Sequence, residues 1–139
     1  MLFDLNIEQV LDHWEIEHAI REIISNALDE QVLTNTRDVQ IFEDVNGFWH
    51  IRDYGRGIRD IHFTQNENEE KIQSPNLIGK FGVGLKDALA VFHRKNVGVE
   101  IDSKFAHISL KMSSKPGFDI ETLHAEFSKS KDCEMQGTE

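Results

Sequence analysis

Glu22–Asp29 reads EIISNALD, inside the longer run EIEHAIREIISNALDEQ of Glu15–Gln31. Trp14, Ile16, Ala19, Ile20, Ile23, Ile24, Ala27 and Leu28 recur at helical spacing, so the spacing predicts a helix from about Asp12 to Gln31. On it Glu22, Asn26 and Asp29 stand at i, i+4 and i+7, giving one face a carboxylate, an amide and a second carboxylate. Such a face is either solvated or aimed at a ligand. Glu17 and Arg21 at i, i+4 predict ordinary ion pairing over part of it. What surrounds the helix decides between the two readings.

The chain has 139 residues, the length of one domain, with 39% hydrophobic and 29% charged residues. No apolar run approaches the roughly 20 residues of a membrane span, and the N-terminus MLFDLNIEQV has no basic segment ahead of an apolar one. A lone cysteine, Cys133, excludes an internal disulfide and a cysteine zinc cluster. These features read as a cytoplasmic protein without membrane contact. A net charge of −10 opposes direct nucleic-acid binding, which needs clustered Lys and Arg. It leaves room for an anion held locally by backbone amides.

Along the chain, a short helix is expected at Ile7–Leu11, a turn at Asn35-Thr36 and a strand at Asp38–Glu43. Asn46-Gly47 signals a hairpin whose return strand is FWHIRD. Thr64–Asn76 (TQNENEEKIQSPN) is polar and reads as a long mobile loop. A helix follows from about Val83 to His93, then strands in VGVEIDS and FAHISLKMSS with a turn at Asp102–Lys104. DIETLHAEF suggests one more strand, and the end, SKSKDCEMQGTE, carries no recognisable closing element. This order predicts an α+β fold with helices on one face of a mostly antiparallel sheet. The seven histidines show no metal-ligand spacing, and Trp14, Trp49 and the phenylalanines read mostly as core or hairpin cover.

Two further segments carry chemistry. Asp53-Tyr54-Gly55-Arg56-Gly57-Ile58 follows a predicted strand; an aspartate there can accept a hydrogen bond from an exocyclic amine, and the glycines allow close backbone approach. The same DxGxG pattern also makes a tight turn without any ligand. Gly79-Lys80-Phe81-Gly82-Val83-Gly84-Leu85-Lys86 sets three glycines at a helix start, where unpaired N–H groups converge into a phosphate cradle. Lys80 and Lys86 add positive charge. The spacing matches neither the dinucleotide fingerprint nor the Walker pattern.

Taken in order, ExxxNAxD, DxGxG and GxxGxG resemble the GHKL ATPase superfamily with its Bergerat fold, which includes gyrase B subunits, the ninety-kilodalton heat-shock chaperones, MutL-type repair proteins and histidine kinases. The resemblance runs from about Ile16 to Leu89; EIISNALDE and DYGRGI are closest to the gyrase form and IGKFGVG to the chaperone form. It implies a two-layer α/β sandwich with a mixed, mostly antiparallel sheet, binding ATP and Mg²⁺. It assigns Glu22 as the general base on the attacking water and Asn26 as the Mg²⁺ ligand; Asp29, on the same face, either orders the pocket through water or backbone contacts or touches the nucleotide. Asp53 becomes the adenine acceptor, with Gly55, Gly57 and Ile58 shaping the base pocket. Gly79, Lys80, Phe81, Gly82, Val83, Gly84 and Leu85 become the phosphate loop, and Thr64–Asn76 the ATP lid.

Within that superfamily, sensor histidine kinases carry asparagine where this chain has Glu22, so the glutamate favours hydrolysis. The implied function is a slow ATPase that acts as a nucleotide-gated switch, coupled to a protein partner or a homodimer. Two alternatives share the pocket: a protein serine kinase of the anti-sigma type, and a non-catalytic nucleotide-binding interaction module. Family domains end in a strand opened by a Gly-Thr pair at the adenine site. Here Gly137-Thr138 is followed by Glu139 alone, which implies that the last strand is missing and that the natural chain continues. The bland reading of the same residues is a frayed tail.

Overall fold

The computed structural model describes residues 1–5, 13–59, 84–115, 117 and 119–139. The expected helix at Ile7–Leu11, the lid at Thr64–Asn76 and the loop residues Gly79–Val83 lie outside the described residues. The elements are β1 (Leu2–Asp4), α1 (Ile16–Thr34), β2 (Gln40–Glu43), β3 (Trp49–Arg52), α2 (Gly84–Arg94), β4 (Glu100–Asp102), β5 (His107–Ser114) and β6 (Glu121–Ser128).

Four strands form a sheet in the order β1-β6-β5-β4, and β2-β3 form a separate hairpin; every one of these pairs is antiparallel. The α+β expectation holds at this level. Period-2 alternation explains the sheet: Ile108 and Leu110 on β5 meet Phe127 and Ala125 on β6. That register leaves one sheet face apolar, and α2 covers it. Leu85 and Leu89, four residues apart, pack on Leu5, Ile101, Ala106, Ile108, Leu123 and Ala125. The next α2 stripe, Ala88, Val91 and Phe92, meets Ala19 of α1, so the helices pack on each other beside the sheet. Leu89 is fully buried, and Leu89→Ala would cost about 2–5 kcal/mol.

The ends of α1 follow local chemistry. The Glu15 backbone N–H donates to His18 Nδ1 at 2.9 Å, and Lys95 pairs with Glu15 at 2.9 Å, fixing the helix start. Asn35 ends it in the left-handed region (φ 50°), which asparagine tolerates, and donates to Val32 O, while Thr36 N–H reaches Gln31 O. At the hairpin tip, Gly47 N–H donates to Asp44 O (3.1 Å) and Asp44 N–H to Phe48 O (2.9 Å), with Gly47 at φ +85°. This is a three-residue turn with a glycine bulge.

Several expectations need correcting. The tail closes the structure instead of fraying: Asp53 N–H donates to Thr138 O, and Glu139 and Asp102 exchange both backbone hydrogen bonds (2.8 and 2.9 Å). β1 was not anticipated, and pairs with β6 through Leu2–Asp4. The turn after β4 lies at Ser103–Ala106, closed by Ser103 N–H to Ala106 O. Arg21 sits 4.0 Å from Glu22 rather than pairing with Glu17. Phe48 and Trp49 stand mostly exposed, at 67% and 69%.

Candidate functional site

α1 carries the expected polar face. Asp29 is 1% exposed, Asn26 and Glu22 are half-buried, and Glu30, one turn beyond Asn26, belongs to the same stripe. Both Asn26 and Asp29 are engaged by neighbouring groups. The face is therefore turned into the protein rather than to water.

At one end of the stripe, Glu22 lies against the first residue of α2. A Cβ at Gly84 would overlap the Glu22 carboxylate, so a side chain there would have to displace Glu22. Asp87, one turn along α2 on the Gly84 side, has its carboxyl pushed upward, first by burial and then by the nearby Glu22 charge. Lys86 is buried rather than displayed at the surface.

At the other end, Glu30 holds the loop that follows β3. Arg56 donates its backbone N–H and Nε to Glu30 Oε1 (2.8 and 2.9 Å) and Nη2 to Oε2 (3.0 Å). A Cβ at Gly55 would strike the Glu30 side chain, so this glycine too is a spacing device. Gly57 adopts φ +90°, and a Cβ there would come within 3.2 Å of Gly137 O. Ile58 packs against the main core, and its carbonyl accepts Ser103 Oγ at 2.9 Å.

Asp53 sits between this loop and the tail. It is 7% exposed; its Oδ1 accepts Gly55 N–H at 2.9 Å, and its own N–H donates to Thr138 O at 2.9 Å. Burial raises its carboxyl from 3.8 to about 6, against the opposing pull of the Gly55 hydrogen bond. At neutral pH it is a buried, mostly ionised acceptor. Gly137 (φ +76°) lies flush on the Asp53 backbone, where no side chain fits. Gln136–Glu139 is held on both edges: Arg52 Nη2 donates to Gln136 O at 2.9 Å, and Thr138 bridges Ser103.

Of the expected site residues, Glu22 and Gly84 come together, as do Asp53, Gly55, Gly57 and Thr138, with Asn26 and Asp29 on the helix between. The Leu85 side chain is in the hydrophobic core, where it seats α2 on the sheet. Gly79, Lys80, Phe81, Gly82 and Val83 lie outside the described residues. Glu30, Arg56, Asp87 and Ser103 were missed. Glu30 had a signal in its place two turns after Glu22; the others become visible only in three dimensions.

No protein-family model matches the chain, and no solved structure matches it. An uncharacterized protein of Mycoplasma pneumoniae is 54% identical over 104 residues, an alignment that takes in 72% of this chain and 42% of that relative. The aligned part thus spans less than half of the relative's length. Among the described residues, no helix is long and apolar enough to cross a membrane.

Proposed function

We propose that the chain is a Mg-ATP-binding domain of the GHKL type, with a Bergerat fold, that hydrolyses ATP slowly and works as a nucleotide-gated switch. One observation carries this reading: a single helix, α1, touches both a glycine helix start through Glu22 and the Asp53 loop through Glu30. Glu22 and Glu30 are separated by about 12 Å of helix, a span that an extended nucleoside triphosphate bridges from base to γ-phosphate.

The donor chemistry fits such a ligand. Asp53 is a buried carboxylate with one oxygen held by Gly55, suited to accept an exocyclic amine proton. The first described turn of α2 opens on a residue without a side chain, and the N–H groups of a helix's first turn are suited to phosphate oxygens. For Mg²⁺, Asn26 and Glu22 offer oxygen donors; among the described residues no group of three or more His, Cys, Asp or Glu could hold a metal. A cation held largely by phosphates and water needs no such group. When bound, Mg²⁺ neutralises charge developing on the phosphates.

The protein's own contribution is then positional. Glu22, fixed against Gly84, orients a water in line with the terminal phosphoryl group and takes its proton as the new P–O bond forms and the bond to the ADP oxygen breaks. The products are ADP and phosphate.

Titration calorimetry with Mg-ATP tests the reading. Asp53→Asn is expected to weaken binding by about 10–100-fold, because a buried amine would face an amide that can also donate. Glu22→Ala is expected to bind Mg-ATP but release no phosphate. Unchanged affinity in Asp53→Asn would sink the adenine assignment. Label transferred to a protein hydroxyl, in place of free phosphate, would replace the ATPase with a kinase.

A further inference from the structure

The β2-β3 hairpin exposes its outer strand. All four β2 residues are exposed, including Ile41 (49%) and Phe42 (41%), and Val45, Phe48 and Trp49 around the turn expose two-thirds or more of their surface. Among the described residues β2 pairs with β3 and with no other strand. An exposed edge with apolar side chains, covered by no other strand among the described residues, is a ready template for another strand.

The hairpin fixes which groups that edge offers. Asp44 and Phe48 form the hydrogen-bonded pair that closes the turn. Alternation then makes Phe42–His50 and Gln40–Arg52 the bonded pairs, leaving Glu43–Trp49 and Ile41–Ile51 as the non-bonded ones. Ile41 and Glu43 therefore turn their N–H and C=O groups outward.

The two ends of the edge differ in charge. At the Gln40 end, Arg37 lies 3.7 Å and Arg52 4.8 Å from the centroid of the Tyr54 ring, and Tyr54 Oη donates to Gln40 Oε1 at 2.6 Å. Among the described residues neither guanidinium forms an ion pair, in a chain with ten more acids than bases. At the other end stand Glu43 and Asp44. Antiparallel pairing of the edge with itself sets the acidic end of each copy against the cationic end of the other.

We propose that two copies of this chain join through β2 in an antiparallel, twofold-symmetric pairing: Ile41 opposite the partner's Glu43, Phe42 opposite the partner's Phe42 on the axis, and Gln40 opposite the partner's Asp44. This register matches outward groups with outward groups on both chains. Gln40, Phe42 and Asp44 share one face of the strand, so the partner's Asp44 arrives over Gln40, beside Arg37 and Arg52. Neighbouring registers are worse. Centring on Ile41 would require the Val39 N–H, which Gln31 Oε1 already holds at 2.8 Å. Centring on Glu43 sets two like charges face to face.

Sedimentation of the full chain across a concentration series tests the pairing. The mass is expected to rise from 16.0 kDa towards twice that value. Ile41→Pro removes an outward N–H and no hydrogen bond within the hairpin, and Phe42→Lys puts like charges on the axis. Each is expected to keep its circular dichroism and to weaken dimerisation at least tenfold. A wild-type mass that stays at 16.0 kDa throughout overturns the proposal, and so does a dimer whose affinity neither variant changes.

Discussion

The region where α1, the Asp53 loop and the Gln136–Glu139 tail meet, and the β2-β3 hairpin, invert the usual partition of residues in opposite ways. In the first, polar groups are inside: Asp29, Asp53, Ser25 and Ser103 are buried. On the hairpin, apolar groups are outside: Val45, Phe48 and Trp49 face water. The first inversion is answered within the chain, where Gly55 and Arg56 satisfy Asp53 and Glu30. Such satisfaction demands close approach, and a side chain at Gly55 would strike Glu30 while one at Gly137 would strike the Asp53 backbone. The second inversion has no answer among the described residues. On the readings proposed above, polar burial serves a small ligand held by a rigid frame, and apolar exposure a surface that a second copy covers.

The largest effect expected from breaking this contrast is Gly137→Val. Its Cβ would collide with the Asp53 backbone in a conformation valine avoids, at a cost of about 4 kcal/mol. Denaturant unfolding should show that loss, and nucleotide binding should go with it. Next is Asp53→Asn. A carboxyl raised from 3.8 to about 6 disfavours the fold when ionised, by about 3 kcal/mol at pH 7. Both states are protonated below about pH 3.8, so the penalty is absent there and grows as pH rises through 6. The asparagine variant should therefore match wild type in acid and exceed it by up to that amount at pH 7. Equal melting temperatures at both pH values would remove the burial penalty from the account.

Glu30→Ala removes the acceptor of the Arg56 N–H, Nε and Nη2; a cost of about 1.5–3 kcal/mol is expected from the lost charge-assisted hydrogen bonds. Thermal unfolding reads it, and restoration by Glu30→Gln would show that shape rather than charge holds the loop. A smaller effect comes from His50, whose Nε2 lies 2.8 Å from Asp44 and whose Nδ1 lies 3.2 Å from Glu139. The Asp44 hydrogen bond, aided by Glu139, raises its basicity above the usual 6.5. The stabilisation is complete below that value and is lost as pH rises through the raised one. A His50 ring titration followed by NMR should fall above 6.5, with the Glu139 amide signal moving in step. A midpoint at or below 6.5 would dissolve the clamp. The smallest effect is Trp49→Ser, within about 0.5 kcal/mol of wild type because the ring buries little in the monomer.

Much of this was legible in the sequence where a short-range rule applies. Helical spacing gives α1 and α2 to within a few residues, and Asn46-Gly47 gives the hairpin. Periodicity also put Glu22, Asn26 and Asp29 on one face, though not the direction it points, which depends on what packs over the helix. Three residues show the limit. Thr138 lies in a polar tail without β-propensity, and its order comes from hydrogen bonds to Asp53 and a bridge to Ser103, far away in sequence. Leu85 stands in the glycine motif and also in the Leu85-Leu89 stripe, and only the packing shows that its side chain goes to the core. Trp49 alternates as a hairpin residue should, but alternation assigns a face without saying whether that face is covered.

The tail also imposes an order of events. His50 and Glu139 are 89 positions apart, and the neighbouring Asp53–Thr138 hydrogen bond has a similar reach. During synthesis α1 and the hairpin leave the ribosome early, but the Asp53 wall stays open until Gln136–Glu139 has been made and has emerged. Until then the Asp53 main-chain N–H lacks its Thr138 acceptor and no strand bridges β3 to β4. A chain interrupted before Gly137 would carry Glu22, Asn26, Asp29 and the Asp53 loop and still lack the backbone acceptor that holds Asp53 in place.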